Sequence, residues 1–472
     1  MAPPPSPPSR RGGREWYACG FLPRGDDALD ATTLTRLAPP GSRAPRRVFP
    51  GGWGFVAVEV GEDDDPDGAP TSHGLEVWGD AAGDHFGDTL AARSRALPSP
   101  VLAAAGYASV AFADARGVPR VMGDATRDDD ALALEPEPPG PGADRADDEN
   151  TPPAEAEPSQ QQHARVRALA AGENHLVLAL DDGTAWTRRD DDVSAPREDA
   201  EDLRHRCAPL RFPLLTGGTP RIVGVAAGAR HAVLIDALGR LWTFGWGLHG
   251  QLGHGDAEDA AAPRPVRALE GFPVVAAAAG THHTLVATRD GAAYAFGSNA
   301  DGQLGVGDEH HGGDSDRDSH SSLGEHDAET ASAESESESD VLLARTKKTR
   351  KKKRKRKRAR ERERVLRKRV GCSATPAPVA LPRDRRGLAR FARSVSCGSR
   401  HAAVVTGDGA VFAWGWGARG QLGQGGDDRA SRFAPTRVRI PGGGEATDVA
   451  CGWWHTCVEA RAVKGDGGDG AG

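Results

Sequence analysis

Short apolar runs of four to six residues recur along this chain, and glycine-rich turns separate them. One unit is apolar over residues 222–227, again over 232–235 and again over 241–244. Runs of this length are too short for helices and predict β-strands joined by tight turns. Apolar residues follow one another instead of alternating with polar ones, which is typical of strands covered on both faces. The pattern therefore predicts small sheets that stack face to face.

Glycine and histidine recur at one spacing in three stretches, at 3, 11, 17 and 22 to 25 residues from an anchor glycine. The stretches are Gly228, His231, Gly239, Gly245 and 250–253; Gly280, His283, Gly291, Gly297 and 302–305; and Gly398, His401, Gly409, Gly415 and 420–423. Each stretch ends in Gly-Gln-Leu-Gly, and two contain an Asp-Gly dipeptide that predicts a hairpin turn. A period near 50 residues is typical of repeat architectures.

Weaker copies of this spacing extend the series in both directions. Gly452 with His455 and Gly172 with His175 keep the first offset, and two more anchors stand at Gly106 and near residue 51. Seven anchors predict an all-β, seven-bladed β-propeller over residues 16–460, because ring closure leaves only short edges. The last unit lacks outer strands, whereas residues 16–21 resemble the third strand of a unit. We therefore expect the N-terminal strand to close the last blade.

Two inserts interrupt the repeat. Residues 127–162 are acidic and proline-rich, and residues 309–371 are first acidic and serine-rich, then basic. Such compositions cannot bury a core, so we predict that both inserts are disordered, as are the ends at 1–15 and 461–472.

The basic half of the second insert is the strongest functional signal in the chain. Residues 345–369 contain 18 Lys or Arg and two Glu, whereas the whole chain has a net charge of −7. The densest positions are Lys347, Lys348, Arg350, Lys351, Lys352, Lys353, Arg354, Lys355, Arg356, Lys357 and Arg358. Such a cluster predicts a nuclear import signal. Nonspecific contact with nucleic acid or phosphate is compatible with it, and a clasp with the acidic half is a third interpretation.

Composition narrows the class of protein. No run of 18 apolar residues occurs, so no transmembrane helix is expected, and the proline-rich start does not resemble a secretory signal. The six cysteines form no Cys-x-x-Cys pair, and we expect buried, reduced thiols.

No catalytic, metal or cofactor site is predicted, and we do not expect an enzyme. The repeat histidines occur once per blade, which favours a structural role with a hydrogen bond inside each blade. Gly-Gln-Leu-Gly lacks the Lys-Ser/Thr that follows in a phosphate-binding loop. Most of the ten tryptophans lie at strand positions and are interpreted as core packing.

Gly-x-x-His, Trp-Gly-Trp-Gly at 414–417 and Gly-Gln-Leu-Gly together resemble the regulator of chromosome condensation repeat family of seven-bladed propellers. Among its members the chain most resembles a small single-domain protein. The resemblance implies a monomeric nuclear propeller that binds chromatin or a chromatin-modifying protein, such as a JmjC-type histone demethylase. Two alternatives stay open: an exchange factor for a small nuclear GTPase, as in the founding member, and a cytoplasmic interaction module.

A plant ultraviolet-B photoreceptor of the same fold carries Gly-Trp-Arg-His-Thr in consecutive blades. Here only residues 452–456 approach that motif, because Ala229, Thr281 and Ser399 replace the tryptophan in other blades. The sequence therefore disfavours a photoreceptor.

Overall fold

The structure of the protein is a computed structural model. It describes residues 14–22, 29–37, 45–52, 56–61, 73–78, 102–107, 109–113, 117, 119–123, 126–131, 133–134, 164–173, 175–189, 206–213, 218–307, 371–426 and 428–461. These residues form 28 β-strands and two short 3-10 turns, at Arg267–Leu269 and Pro441–Gly443, and none of them lies in an α-helix. No helix of the described residues is long and apolar enough to cross a membrane.

The strands form seven sheets, which we number as blades 1 to 7. The strands of the first three blades are β3 (Arg47–Pro50), β4 (Val56–Gly61) and β5 (His73–Trp78) in blade 1; β6 (Ala103–Ala105), β7 (Ser109–Ala113), β8 (Pro119–Gly123) and β9 (Thr126–Ala131) in blade 2; and β10 (Ala133–Leu134), β11 (Val166–Ala171), β12 (His175–Leu180), β13 (Ala185–Arg189) and β14 (Arg206–Pro209) in blade 3. In blade 3, β10 pairs in parallel with β14 at the outer edge.

Blades 4 to 7 each contain four antiparallel strands. Their strands are β15 (Ile222–Ala227), β16 (His231–Asp236), β17 (Leu241–Gly245) and β18 (Ala260–Pro265) in blade 4; β19 (Val274–Ala279), β20 (His283–Thr288), β21 (Ala293–Gly297) and β22 (Ser373–Pro378) in blade 5; β23 (Ala392–Cys397), β24 (His401–Thr406), β25 (Val411–Gly415) and β26 (Arg432–Val438) in blade 6; and β27 (Glu445–Cys451), β28 (His455–Arg461), β1 (Arg14–Leu22) and β2 (Leu29–Arg36) in blade 7.

The blades close into a ring. The innermost strands contact one another in the order β3, β6, β11, β15, β19, β23 and β27, and β27 contacts β3 again. Every residue of β16, β20 and β24 is buried, because neighbouring blades cover both faces of these second strands. The predicted stacking of apolar strands and the seven-bladed ring are both confirmed.

The N-terminal strand completes the last blade, as predicted. In blade 6, Gly415 lies opposite His401 in the register of β24 with β25. In blade 7, Gly20 of β1 lies opposite His455 of β28 in the same way. β1 therefore takes the place of a third strand, and β2, which the sequence pattern did not reveal, adds the fourth. The ring closes through hydrogen bonds between the two ends of the described chain.

At three places, the observed strands extend beyond the boundaries that the sequence predicted. β1 begins at Arg14, β28 ends at Arg461, and β9 and β10 occupy 126–131 and 133–134, inside the insert predicted to be disordered from residue 127. That insert begins later because β9 pairs with β8 and completes blade 2. Residues 135–162 and 308–370 lie outside the described residues, so their predicted disorder stays a prediction.

Candidate functional site

The anchor glycines form a ring of backbone hydrogen bonds around the central axis. At each of the seven blade boundaries, an amide at or just after one anchor donates to a carbonyl of the next blade. These bonds run from Gly52 N to Gly106 O, Tyr107 N to Gly172 O, Glu173 N to Ala229 O, Ala229 N to Gly280 O, Thr281 N to Ser399 O, Ser399 N to Trp453 O, and Trp453 N to Gly51 O, at 2.9 to 3.3 Å. All seven anchors found in the sequence belong to this ring.

Lack of space explains why the anchors are glycines. A Cβ at Gly280 would lie 2.5 Å from Gly398 O of the next blade and would also meet the ring of its own histidine, His283. A Cβ at Gly398 would lie 2.5 Å from Gly452 O. No side chain fits between a blade and its neighbour here. The Gly-x-x-His spacing therefore encodes close packing at the inner edges of the blades.

The second glycine of each repeat joins blades on the opposite side of the ring. Gly239, Gly291 and Gly409 have φ values of 81°, 86° and 73°, which tight turns require and which favour glycine. Their carbonyls accept hydrogen bonds from the first inner-strand amides of the following blades, which are Val274 N (2.8 Å), Ala392 N (2.9 Å) and Ala446 N (2.9 Å). The third glycines, Gly245, Gly297 and Gly415, have φ values of 104°, 113° and 100° and lie against the backbone just before the repeat histidine.

Two repeat histidines join neighbouring blades through a threonine. His231 Nε2 lies 2.9 Å from Thr284 Oγ1 of the next blade, and Thr284 Oγ1 donates to Gln251 O at 2.8 Å. His401 Nε2, Thr456 Oγ1 and Gln421 O repeat this arrangement at 2.9 and 2.8 Å. The hydroxyl gives its single proton to the glutamine carbonyl, so Nε2 of the histidine is the donor to Thr Oγ1. For His231 and His401 the prediction of a bond inside the blade was wrong, because the partner belongs to the next blade.

Burial keeps these histidines neutral. It lowers the pKa of His283 and His455 to about 4 and that of His401 to about 3, and it holds the pKa of His231 well below its usual range. Buried neutral rings enclosed between blades reach neither substrate nor solvent. Among the described residues, no group of three or more His, Cys, Asp or Glu side chains is placed to hold a metal ion.

All six cysteines are free thiols. Cys19, Cys207, Cys397 and Cys457 are buried, and burial raises the pKa of Cys451 to about 12. A raised pKa keeps the thiol protonated and unreactive. These positions therefore serve packing.

The loop face is the face of the ring that carries the turns after the anchor glycines and the Gly-Gln-Leu-Gly loops. On it, three half-buried aromatic rings cross the boundary between blades 4 and 5. The His249 and His282 rings stack with centroids 4.2 Å apart, and the Trp246 ring lies 5.1 and 5.3 Å from them at steep angles. Rings presented edge and face in this way offer contact area with little conformational freedom to lose on binding.

A second cluster of aromatic and charged side chains lies on the same face and extends across blades 5, 6 and 7. Arg400 pairs with Asp301 at 2.7 Å and lies over the Trp416 ring, 5.7 Å from its centroid. Trp416 meets Trp454 edge to face with centroids 5.0 Å apart. Burial raises the pKa of Asp301, and Arg400 opposes that rise. Both clusters together, which we call the aromatic strip, follow the loop face over four blades.

Sequence reasoning missed the aromatic strip. Most tryptophans were interpreted as core packing, which holds for Trp242 and Trp414, but no surface role was predicted for Trp246, Trp416 and Trp454, all half-buried. Position was the available signal: Trp246 and Trp416 stand directly after the third glycine, and His282, Arg400 and Trp454 stand second after an anchor glycine.

The channel mouth offers little room for a small ligand. The cavity inside the ring of anchor bonds has a volume of about 80 Å³ and is lined mostly by Gly and Ala. Thr281 and Ser399 join hydroxyls across it at 2.9 Å. A space of this size accommodates a few waters. The loop face therefore suits a macromolecular partner better than a metabolite.

The basic residues predicted as an import signal, Lys347 to Arg358, lie outside the described residues. Their segment leaves the ring after Gly307 and returns at Gly371, and both ends belong to the loop between β21 and β22. That loop opens on the loop face. The segment is therefore attached on the same side of the ring as the aromatic strip.

Comparison with known proteins agrees with this architecture. The sequence profile of the RCC1-like domain matches residues 89–458. The chain is 30% identical to the ultraviolet-B receptor UVR8 of Arabidopsis thaliana over 295 residues, 62% of this chain and 50% of the receptor. It is 34% identical to RCC1 domain-containing protein 1 of Homo sapiens over 235 residues, 49% of this chain and 54% of that protein. The chain thus spans about half the length of the curated relatives it matches.

Solved structures show the same fold at low sequence identity. Human WBSCR16 superposes with a TM-score of 0.59 and 17% identity, covering 95% of this chain and 99% of that one. Prp20p of Saccharomyces cerevisiae superposes with a TM-score of 0.61 and 12% identity, covering 96% and 93%. The propeller of this family is a scaffold for protein interactions. From its repeat, its seven blades and the profile match, the chain belongs to the RCC1-like domain family.

Proposed function

We propose that this protein is a nuclear, chromatin-associated propeller that binds a protein partner through its loop face and acts without catalysis. The observation that carries the proposal is the aromatic strip. Trp246, Trp416 and Trp454 are held at the surface by neighbours in adjacent blades, and Arg400 is fixed between Asp301 and Trp416. Tryptophan and arginine dominate the energy of protein interfaces when they are partly buried and rigid.

The basic segment supports the nuclear part of the proposal. Its 11 Lys or Arg within residues 347–358 form a cluster of the kind that import receptors bind, and the same charge attracts a polyanion. Because the segment is attached on the loop face, a partner bound to the aromatic strip would lie near it. A chromatin protein, including a JmjC-type histone demethylase, is the proposed partner class.

The localisation proposal is tested with a fluorescent fusion of the full chain. Replacing the 11 Lys or Arg of residues 347–358 by Ser removes the charge and leaves every described residue intact. We expect the nuclear signal to fall to the level of the cytoplasm. A variant that stays nuclear would refute the import signal, and a wild type found in the cytoplasm would favour the cytoplasmic interaction module.

The partner proposal is tested by affinity purification from nuclear extract. The double variant Trp416→Ser/Trp454→Ser removes the exposed rings of blades 6 and 7, and Leu388→Ser, on the opposite face, is the matched control. We expect the double variant to lose the chromatin partner and the control to keep it.

The exchange-factor alternative is tested by measuring nucleotide release from the small nuclear GTPase with purified protein. We expect that the protein does not accelerate this release.

A further inference from the structure

The exposed large apolar side chains of the described residues all lie on the face opposite the loop face. We call it the turn face, because it carries the turns with Gly239, Gly291 and Gly409. The side chains are Leu238 (69% exposed), Phe272 (44%), Val275 (49%), Leu388 (60%) and Phe391 (48%). Clustering of exposed apolar side chains on one face is unusual for a soluble surface and marks a binding site.

These side chains follow the blade boundaries from blade 4 to blade 6. Leu238 belongs to the turn between β16 and β17, next to Gly239, whose Cα faces Pro273. Phe272 precedes that proline, and its ring lies 6.1 Å from the ring of Tyr294. Phe391 packs against Gly291 of the next turn. The apolar side chains therefore occupy neighbouring positions across two boundaries instead of being scattered over the ring.

The loop that connects blades 5 and 6 is held by its own hydrogen bonds and exposes the Leu388 side chain to solvent. Asp384 N donates to Leu388 O at 2.9 Å, and Gly387 N donates to Asp384 O at 3.0 Å. Asp384 Oδ1 accepts from Arg386 N at 2.9 Å and Leu388 N at 2.7 Å. These bonds order the loop without using the Leu388 side chain. The loop holds a large apolar group in solvent, which costs free energy unless a partner covers it.

Charge around Leu388 is strongly positive. Residues 383–391 contain four Arg and one Asp, and the carboxylate of that Asp384 accepts the two backbone bonds of the loop. Arg385 and Arg386 are exposed and form no ion pair with any described residue. Arg390 pairs with Asp408 and lies over the Phe412 ring. Two guanidinium groups thus stay available beside Leu388 and Phe391.

We propose that the turn face of blades 4 to 6 binds an acidic segment of a partner protein that also carries large apolar side chains. Leu388 and Phe391 contact the apolar groups, and Arg385 and Arg386 pair with the carboxylates. Opposite charges select such a segment and raise its association rate, and burial of the apolar groups slows its release. This site lies on the opposite side of the ring from the aromatic strip, so the propeller joins two partners.

The test uses the purified full chain and fluorescent 12-residue peptides. The first peptide contains only Glu, Leu and Phe, the second has Ser at every Leu and Phe, and the third has Lys at every Glu. We expect fluorescence anisotropy to show that the first peptide binds at least tenfold more tightly than either of the others. The affinity falls as salt rises, because exposed charges are screened.

Three variants locate the site. Leu388→Ser and Arg385→Glu/Arg386→Glu change only exposed side chains. Each is expected to lower the affinity for the first peptide at least tenfold. Trp416→Ser/Trp454→Ser, on the loop face, keeps wild-type affinity. Equal affinity for the first and second peptides would overturn the proposal, as would unchanged binding by both turn-face variants. A wild type that sediments as a dimer, and as a monomer after Leu388→Ser, would assign the face to a second copy of the chain and also overturn it.

Discussion

At the scale of single residues, Thr284 and Thr456 each connect two neighbouring blades through one hydroxyl group. Each hydroxyl satisfies two buried groups of the preceding blade, a histidine nitrogen and a glutamine carbonyl. The equivalent residue of blade 6 is Ala402, which has no hydroxyl to offer His283 of blade 5. The threonine bond therefore strengthens particular blade boundaries and is absent at others.

Thr284→Val tests this bond. Valine has nearly the same shape, so the substitution leaves Gln251 O and His231 Nε2 buried without the hydroxyl. We expect a loss of about 1–3 kcal/mol in the free energy of unfolding, measured by urea denaturation. Thr284→Ser restores most of it, and Thr436→Val, on the outer strand of blade 6, changes little. Equal stability of the Thr284→Val and wild-type chains would contradict the role of the bond.

The buried histidines make stability depend on pH. Their pKa values in the folded ring are low, about 4 for His283 and His455 and about 3 for His401, whereas the unfolded chain titrates near 6.5. Between these values the unfolded chain binds more protons, so the free energy of unfolding falls as pH falls. We expect no change above about pH 7 and a steep loss between about pH 6.5 and 4.

The measurement is the urea midpoint at a series of pH values. Each histidine contributes about 1.4 kcal/mol per pH unit inside this window. His283→Gln removes one titrating group and should flatten the slope accordingly. A midpoint that stays constant from pH 7 to pH 5 would show that the folded rings bind protons as readily as the unfolded chain does.

At the scale of elements, the two glycine ladders explain how separate blades become one ring. One ladder joins the anchor turns at the loop face, and the other joins the turns with Gly239, Gly291 and Gly409 to the next inner strand at the turn face. From blade 2 to blade 7, each blade is therefore hydrogen-bonded to the next at both ends of its inner edge. A blade that loses one of these contacts also weakens the packing of the blade beside it.

Gly280→Ala tests the anchor position. The added Cβ would lie 2.5 Å from Gly398 O, and neither backbone can move without disturbing a further blade. We expect a loss of several kcal/mol or failure to fold, about the upper range for single substitutions. Gly224→Ala in β15 is the matched control, because its Cβ would meet nothing nearer than 3.7 Å. Similar stability of the two variants would contradict the packing argument.

Most elements of the ring could be predicted from the sequence, because each blade repeats its own local signals. β2 could not, since Leu29–Arg36 contains neither a continuous apolar run nor a repeat glycine. The histidine bonds were assigned to the wrong blade because hydrogen-bond partners in an adjacent repeat leave no local mark. The surface cluster of Trp416 and Trp454 was missed because apolar character alone does not distinguish a buried ring from one that adjacent blades hold at the surface.

At the scale of the whole molecule, the ring depends on strands from its two ends. β1 and β2 cover the outer part of blade 7, where Cys19 and Leu34 pack with Val458. Without them, β28 becomes an exposed edge and the apolar faces between blades 6, 7 and 1 open to water. The ring shape also separates the aromatic strip from the turn face, so the two proposed partners would bind on opposite sides of the ring.

Removing residues 1–37 tests this closure. We expect the shortened chain to aggregate or to unfold at a much lower temperature than the full chain. Adding a peptide of residues 14–37 in excess restores part of the loss, because the peptide supplies β1 and β2 and binds only the folded ring. An unchanged melting temperature would show that blade 7 does not need the N-terminal strands.

The central claim is that the loop face carries the protein to chromatin. The most direct measurement is the fraction of the chain that sediments with native chromatin at physiological salt. We predict that the wild type and Leu388→Ser sediment with chromatin, and that Trp416→Ser/Trp454→Ser loses at least nine-tenths of its bound fraction, roughly a tenfold change or about 1.4 kcal/mol. Equal sedimentation of all three proteins, or none by the wild type, would contradict the account.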